Sequence, residues 1–215
     1  MRGHLNRLAT VLAISLVTLI GGCVTPPETV TDRAPDPARW RAHQTAIQSI
    51  HTWDAEGRVA ADFSGDSASG SVSWSQSYDL IDFRFRGPFG IGGFHIHGDD
   101  ERLRIQTSRG EDFLLEDPIE DMRAQLGWAL PVRAMRYWIV GIPDPGGPAR
   151  LAFSEDGHLV ALEQAGWMVE LDEYADVAGF QVPRRINMRG DGIELRFVID
   201  RWAPDVGDPP EGMEL

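Results

Sequence analysis

Between residues 58 and 199 apolar and polar side chains alternate one by one over most of the chain. Val59, Ala61 and Phe63 alternate with Arg58 and Asp62, and Val72 and Trp74 alternate with serines. Ile81, Phe83 and Phe85 alternate with Asp82, Arg84 and Arg86; Phe94 and Ile96 with His95 and His97; Leu103 and Ile105 with Arg102 and Arg104. Phe113-Leu114-Leu115 ends this set. The pattern returns in Leu151/Phe153, Leu159/Ala161, Trp167 to Tyr174, Arg184 to Arg189 and Ile193/Leu195/Phe197/Ile199, with Asp156-Gly157 and Asp191-Gly192 as hairpin turns. A period of two gives each strand one apolar and one wet face, which predicts an antiparallel sheet of about eleven strands.

Helical spacing appears in three places. Asp36-Pro37 can start a helix with proline at its first position, and Trp40, Ile47 and Ile50 then mark one face. Asp117-Pro118-Ile119-Glu120 carries a capping acid, a first-turn proline and a glutamate three residues on, ahead of Met122 and Leu126. Leu130-Pro131 restarts a helix with Met135, Trp138 and Ile139, which stops before Gly141-Ile142-Pro143. One-faced strands need a cover, so a curled sheet with the middle helices across its mouth is predicted. Whether its interior is solid or hollow stays open at this level.

The first residues follow a different rule. Arg2, His4 and Arg7 precede an uncharged apolar run from Leu8 to Ile20, then Gly21, Gly22 and Cys23. This is the build of a secretory signal, too short for a bilayer span of about 20 apolar residues. The cysteine after small residues resembles a bacterial lipobox, which implies lipidation of Cys23 and a mature chain beginning there. Val24 after it implies sorting to the outer membrane, facing the periplasm. Residues 24–37 hold four prolines and almost nothing large and apolar, and read with Cys23 as an extended tether. The expected division is a signal at 1–22, a lipidated tether at 23–37, one domain at 38–203 and an acidic tail at 204–215.

Composition narrows the function. Loss of residues 1–22, with two arginines and no acid, takes the formal net charge from −13 to −15, and the chain contains no lysine. That excludes nucleic acid as a partner and a polybasic contact with anionic lipid. The single cysteine, spent on lipid, leaves no thiol for catalysis or metal binding.

Candidate chemistry is sparse. Gly65-Asp66-Ser67-Ala68-Ser69 lacks the closing glycine of a serine-hydrolase elbow. His95 and His97 share a strand face, but the wet one, and no further histidine lies close in sequence. No catalytic residue, metal site or cofactor is predicted. The unusual segment is Gly87-Pro88-Phe89-Gly90-Ile91-Gly92-Gly93, a turn between two strands with a phenylalanine near its tip. Phe89 either folds back onto the core or stands out as a membrane-probing tip.

Taken together, these residues resemble the LolB family of outer-membrane lipoproteins. The resemblance runs from the lipobox through roughly Trp40 to Trp202. It rests on Trp40-Arg41-Ala42-His43-Gln44, Gly87-Pro88-Phe89-Gly90, Leu126-Gly127-Trp128-Ala129-Leu130-Pro131-Val132, Trp138-Ile139-Val140-Gly141-Ile142-Pro143 and Gly166-Trp167-Met168-Val169. It implies an unclosed antiparallel β-barrel with a lid of about three helices over a hydrophobic cavity. It also implies a monomeric receptor that accepts acylated lipoproteins from the periplasmic carrier LolA and inserts them into the inner leaflet of the outer membrane. Phe89 takes the place of the family's usual leucine in the membrane-insertion loop Gly87, Pro88, Phe89, Gly90, Ile91. Trp74, Ile81, Phe83, Phe85, Phe94, Ile96, Trp138 and Trp167 are expected in the acyl-chain cavity or its lid. The alternative is an assembly lipoprotein with a solid β core and a protein partner.

Overall fold

The computed structural model describes residues 30–63, 66–90 and 92–205. The signal segment, Cys23 and Ile91 lie outside them, as do residues 24–29 of the expected tether and most of the expected tail. Thirteen strands are described: β1 Thr52–Phe63, β2 Asp66–Ser77, β3 Leu80–Arg86, β4 Phe94–Gly98, β5 Leu103–Thr107, β6 Asp112–Leu115, β7 Ala149–Phe153, β8 Leu159–Gln164, β9 Trp167–Asp172, β10 Ala175–Val177, β11 Phe180–Val182, β12 Arg185–Gly190 and β13 Ile193–Asp205. Eleven form one antiparallel sheet in the order β6-β5-β4-β3-β2-β1-β13-β12-β9-β8-β7, and β10 pairs only with β11. The sheet is two meanders joined where β1 meets β13. Its edges, β6 and β7, do not pair with each other, so the barrel is unclosed.

Those two edges are consecutive in sequence. The connection over residues 116–148 must therefore cross from one side of the sheet to the other, and it carries two of the three helices. Helix α1 spans Pro37–Ser49, α2 Pro118–Leu126 and α3 Val132–Trp138. The predicted lid is this connection, laid on the apolar face because Met122 of α2 and Met135 and Trp138 of α3 are buried against it.

The caps follow the sequence with one change. Asp36 accepts from the amides of Ala38 and Arg39 at 2.9 and 3.0 Å, and Pro37 opens α1 as expected. Asp117 accepts from Glu120 N at 3.4 Å. The return bond expected from Glu120 comes instead from Asp121, whose carboxylate accepts from the amides of Glu116 and Asp117 at 2.8 and 3.0 Å. Glu120 is drawn off by Arg123 at 3.1 Å.

Two boundaries differ from expectation. β1 begins at Thr52, because Trp53 and Ala55 face inward; only Trp53 is large enough to signal a strand. β13 continues through Pro204 and Asp205, opposite Trp53 and Thr52, two residues into the expected tail. β12 has ended its pairing with β13 at Val198, so Pro204 sits where one side of the strand is unpaired. At the other terminus Thr31 exchanges backbone bonds with Phe153 at 2.9 and 2.7 Å, fastening the chain to the edge strand β7.

The β1–β13 pairing shifts register between Glu56 and Gly57. A Cβ at Gly57 would lie 2.1 Å from the Val198 carbonyl oxygen, which is backbone and cannot turn away. Gly57→Ala is expected to lower stability by about 1–3 kcal/mol through overpacking, read as a lower urea midpoint with the slope unchanged.

Helix α1 packs Trp40 edge-on against Phe153 at 5.0 Å and buries Ile47. His43, half-buried on the same helix, is held below the ordinary imidazole range by burial first, then by His158 and Arg39. The fold therefore favours the neutral ring, and the unfolded chain binds the proton first as pH falls below about 6.5. This part of the stability is complete above about pH 6.5 and is lost as acidification passes from there through the folded value. His97, lowered mainly by burial, adds in the same sense. His43→Asn is expected to flatten part of the decline in urea midpoint between about pH 7.5 and pH 5.

Candidate functional site

Of the spaces that the inner face of the sheet and the lid border, two lie along the inner face of β1, β2 and β13. The first is a cavity of about 50 Å³ walled by β1–β4, β13 and α3, with an entirely apolar lining. Trp74, Ile81, Phe83, Phe85, Phe94 and Ile96, six of the eight expected cavity residues, are brought together here. The rings form a ladder, Trp74 against Phe83 at 5.5 Å and Phe94 against Phe85 at 5.2 Å. Val132 and Met135 of α3 close it from above.

The other two expected residues lie elsewhere. Trp138 is on lid helix α3 but fully buried, with Nε1 donating to Gln164 Oε1 at 2.8 Å. Trp167, on β9, lines neither space and packs in solid core 6.2 Å from Trp138.

The second space, which the sequence did not announce, is a chamber of about 320 Å³. Its walls come from α1 (Ile47), the β10–β11 hairpin (Val177, Phe180), the end of β13 (Trp202) and the end of α3 (Arg136, Tyr137). Polar groups also face it, notably Gln48, His51, Gln76 and Arg136.

The lid is tied to the sheet by charge. Arg136 donates to Asp100 in the β4–β5 turn at 2.9 Å, and Arg133 lies 3.7 Å from the same carboxylate. Arg123 reaches from α2 to Asp191 at 3.2 Å. Gln164, buried on β8, holds the end of α3: besides the Trp138 indole it accepts from Asp144 N at 2.9 Å and donates to the carbonyls of Asp144 and Gly147 at 2.7 and 3.0 Å. Its role was hidden in the sequence, where a glutamine at an inward strand position looks like a strand end.

The β3–β4 hairpin rises from the rim of the apolar cavity, since its stem pair, Phe85 opposite Phe94, lines that cavity. Gly87, Pro88, Phe89 and Gly90 form its described tip, and Gly90 N bonds back to Gly87 O at 3.1 Å. Phe89 has φ 56° and is 101% exposed. It does not fold back onto the core; the left-handed backbone turns its ring outward at a cost of about 1–2 kcal/mol. The stem is clamped by Ser108 N to Gly93 O at 2.8 Å and Gly93 N to Ser108 Oγ at 3.0 Å.

His95 and His97 stack at 4.5 Å on the outer face, as the alternation required. His95 Nε2 meets the Asp82 carboxylate at 3.0 Å, and Arg84 pairs with the same acid. Ser67 is exposed at the start of β2, where it pairs with Asp62 across the β1–β2 ladder.

Comparison with known proteins follows this geometry. A family model described as "Outer membrane lipoprotein LolB" matches residues 51–202. The outer-membrane lipoprotein LolB of Pseudomonas fluorescens is 31% identical over 195 residues, covering 90% of this chain and 95% of its own. That of Ectopseudomonas mendocina is 33% identical over 199 residues, covering 92% and 97%. Among solved structures, a LolA superfamily protein from Nitrosomonas europaea aligns with TM-score 0.46 and 10% identity over 79% of this chain and 95% of its own. With a family model spanning most of the chain and relatives matched almost end to end, the chain belongs to the LolB family of outer-membrane lipoproteins.

Proposed function

We propose that this chain accepts acylated lipoproteins from a LolA-type periplasmic carrier and inserts them into the inner leaflet of the outer membrane. Cys23 carries its own lipid anchor, the apolar cavity under α3 receives acyl chains, and the Phe89 hairpin touches the bilayer. As a LolB family member the chain is an outer-membrane lipoprotein that serves lipoprotein localization. The observation that carries the finer reading is one arrangement: a wholly apolar cavity whose rim continues into a hairpin ending in a fully exposed phenylalanine.

The physical need is plain. Each acyl methylene released into water costs about 0.8 kcal/mol, so the chains must pass from one apolar site to the next. Direction comes from rising affinity along the route, carrier to receptor to bilayer. No covalent bond changes, and the protein acts as a transfer factor rather than as an enzyme. Val132 and Met135 of α3 lie over the cavity, and Arg136 of the same helix is tied to Asp100, so lifting α3 from the Asp100 tie widens the way in for cargo.

The test is a handover. The chain from residue 24 onward, which contains every described strand and helix, is mixed with carrier loaded with a labelled lipoprotein, separated by size, then given liposomes. Cargo moving to the chain and then to liposomes supports the reading. Cargo that stays on the carrier in the presence of the folded chain refutes it and favours an assembly lipoprotein.

A further inference from the structure

The two spaces lie end to end under one lid helix. On α3, Val132 and Met135 face the apolar cavity while Arg136 and Tyr137 face the chamber. The same changeover occurs on three strands. Val59 of β1 lines the cavity and Trp53 the chamber; Trp74 and Gln76 of β2 divide likewise; so do Phe197 and Trp202 of β13. Trp74 stands at the boundary. Its Nε1 donates to Gln76 Oε1 at 3.1 Å, Gln76 Nε2 donates to the Tyr78 carbonyl at 2.9 Å, and its ring packs 5.5 Å from Trp53.

Dimensions and polarity suit one kind of ligand. Val59 to Trp53 is six residues of strand, roughly 20 Å. Half a bilayer's hydrocarbon core, the reach of one acyl chain, is about 15 Å. The cavity is lined by apolar side chains alone, whereas Gln48, His51, Gln76 and Arg136 face the chamber. Arg136 lines the chamber, its Nε is buried without a hydrogen-bond partner, and its guanidinium becomes available to an ester or carboxylate oxygen when the 2.9 Å bond to Asp100 is released.

We propose that chamber and cavity are one acyl site divided by the Trp74 indole, with the polar end of an acyl amphiphile in the chamber beside Arg136 and its terminal methyl in the apolar cavity. This rests on the transfer reading above and gives it a direction. The methyl end lies next to the Phe85–Phe94 stem of the hairpin, so the chain leaves tail first toward the membrane. Met135, unbranched and adaptable, and Trp74 are the side chains that move to let it pass.

Stearate bearing a nitroxide near either its carboxyl or its methyl end tests the orientation in the wild-type chain from residue 24 onward, with methyl groups observed by NMR. The carboxyl-end label is expected to broaden Ile142 and Val182, which line the chamber, and the methyl-end label Val59, Leu195 and Val132, which line the cavity. Reversed sets, or one set broadened by both labels, overturn the divided site while leaving acyl binding in place. No broadening by either label removes acyl binding itself, and the transfer reading with it.

Discussion

Phe89→Glu is expected to abolish delivery of cargo to liposomes while leaving its acceptance from the carrier intact. Burial of one phenylalanine contributes about 1.5–3 kcal/mol, a factor of roughly ten to a hundred in membrane contact. The introduced carboxylate adds a further penalty in an apolar layer. Stability should stay within about 0.5 kcal/mol, because the ring touches nothing in the fold. Phe89→Gly separates the two effects more sharply. It relieves the left-handed backbone and should raise stability by about 1 kcal/mol, yet it should lose delivery as well. Phe89→Leu should keep most of it. Matched urea curves and liposome transfer read both quantities, and normal delivery by Phe89→Glu would end the membrane-tip reading.

Gln164→Leu, on β8 beneath the end of α3, is expected to be strongly destabilising. The side chain is nearly as large, but its amide closes four bonds, to the Trp138 indole, to Asp144 N and to the carbonyls of Asp144 and Gly147. Leucine strands the Trp138 and Asp144 donors with water excluded, at about 1–3 kcal/mol each. A total loss of about 3–5 kcal/mol, a large share of a typical domain's stability, is expected. Because Trp138 belongs to α3, the same change should loosen the lid and increase binding of a hydrophobic dye before global unfolding. Gln164→Glu is a useful contrast: it retains acceptors for both donors but sets a carboxylate against two carbonyl oxygens. A urea midpoint unchanged in Gln164→Leu would show that these bonds are not what fixes the lid.

Legibility in the sequence followed locality. Six cavity residues were readable because the cavity walls are mostly strands, and a period of two assigns each side chain a face without knowledge of its partners. The lid helices announced themselves through Asp36-Pro37, Asp117-Pro118 and Leu130-Pro131. The chamber was not readable, since Ile47, Trp53, Phe180 and Trp202 meet only after the chain has folded. Trp167 was misplaced for a related reason: an inward-facing tryptophan on β9 obeys the same alternation as one on β2, and only the path of residues 116–148 decides which stretch of sheet stays open beneath the lid. Phe89, which the sequence left between core and tip, is decided by its full exposure.

The Thr31–Phe153 bridge sets a leash. Register carried strand by strand places Phe153 at the end of the sheet shared with the β2–β3 turn, opposite the end that bears Phe89. From Thr31 back to Cys23 is eight residues, at most roughly 29 Å of fully extended chain. β3 alone rises about 23 Å toward the hairpin, and Phe89 stands three residues beyond it. With lipid on Cys23, that leash is about as long as the climb from the Phe153 end of the sheet to the hairpin tip, so lengthening the stretch between Cys23 and Thr31 is expected to ease delivery, and shortening it to slow delivery.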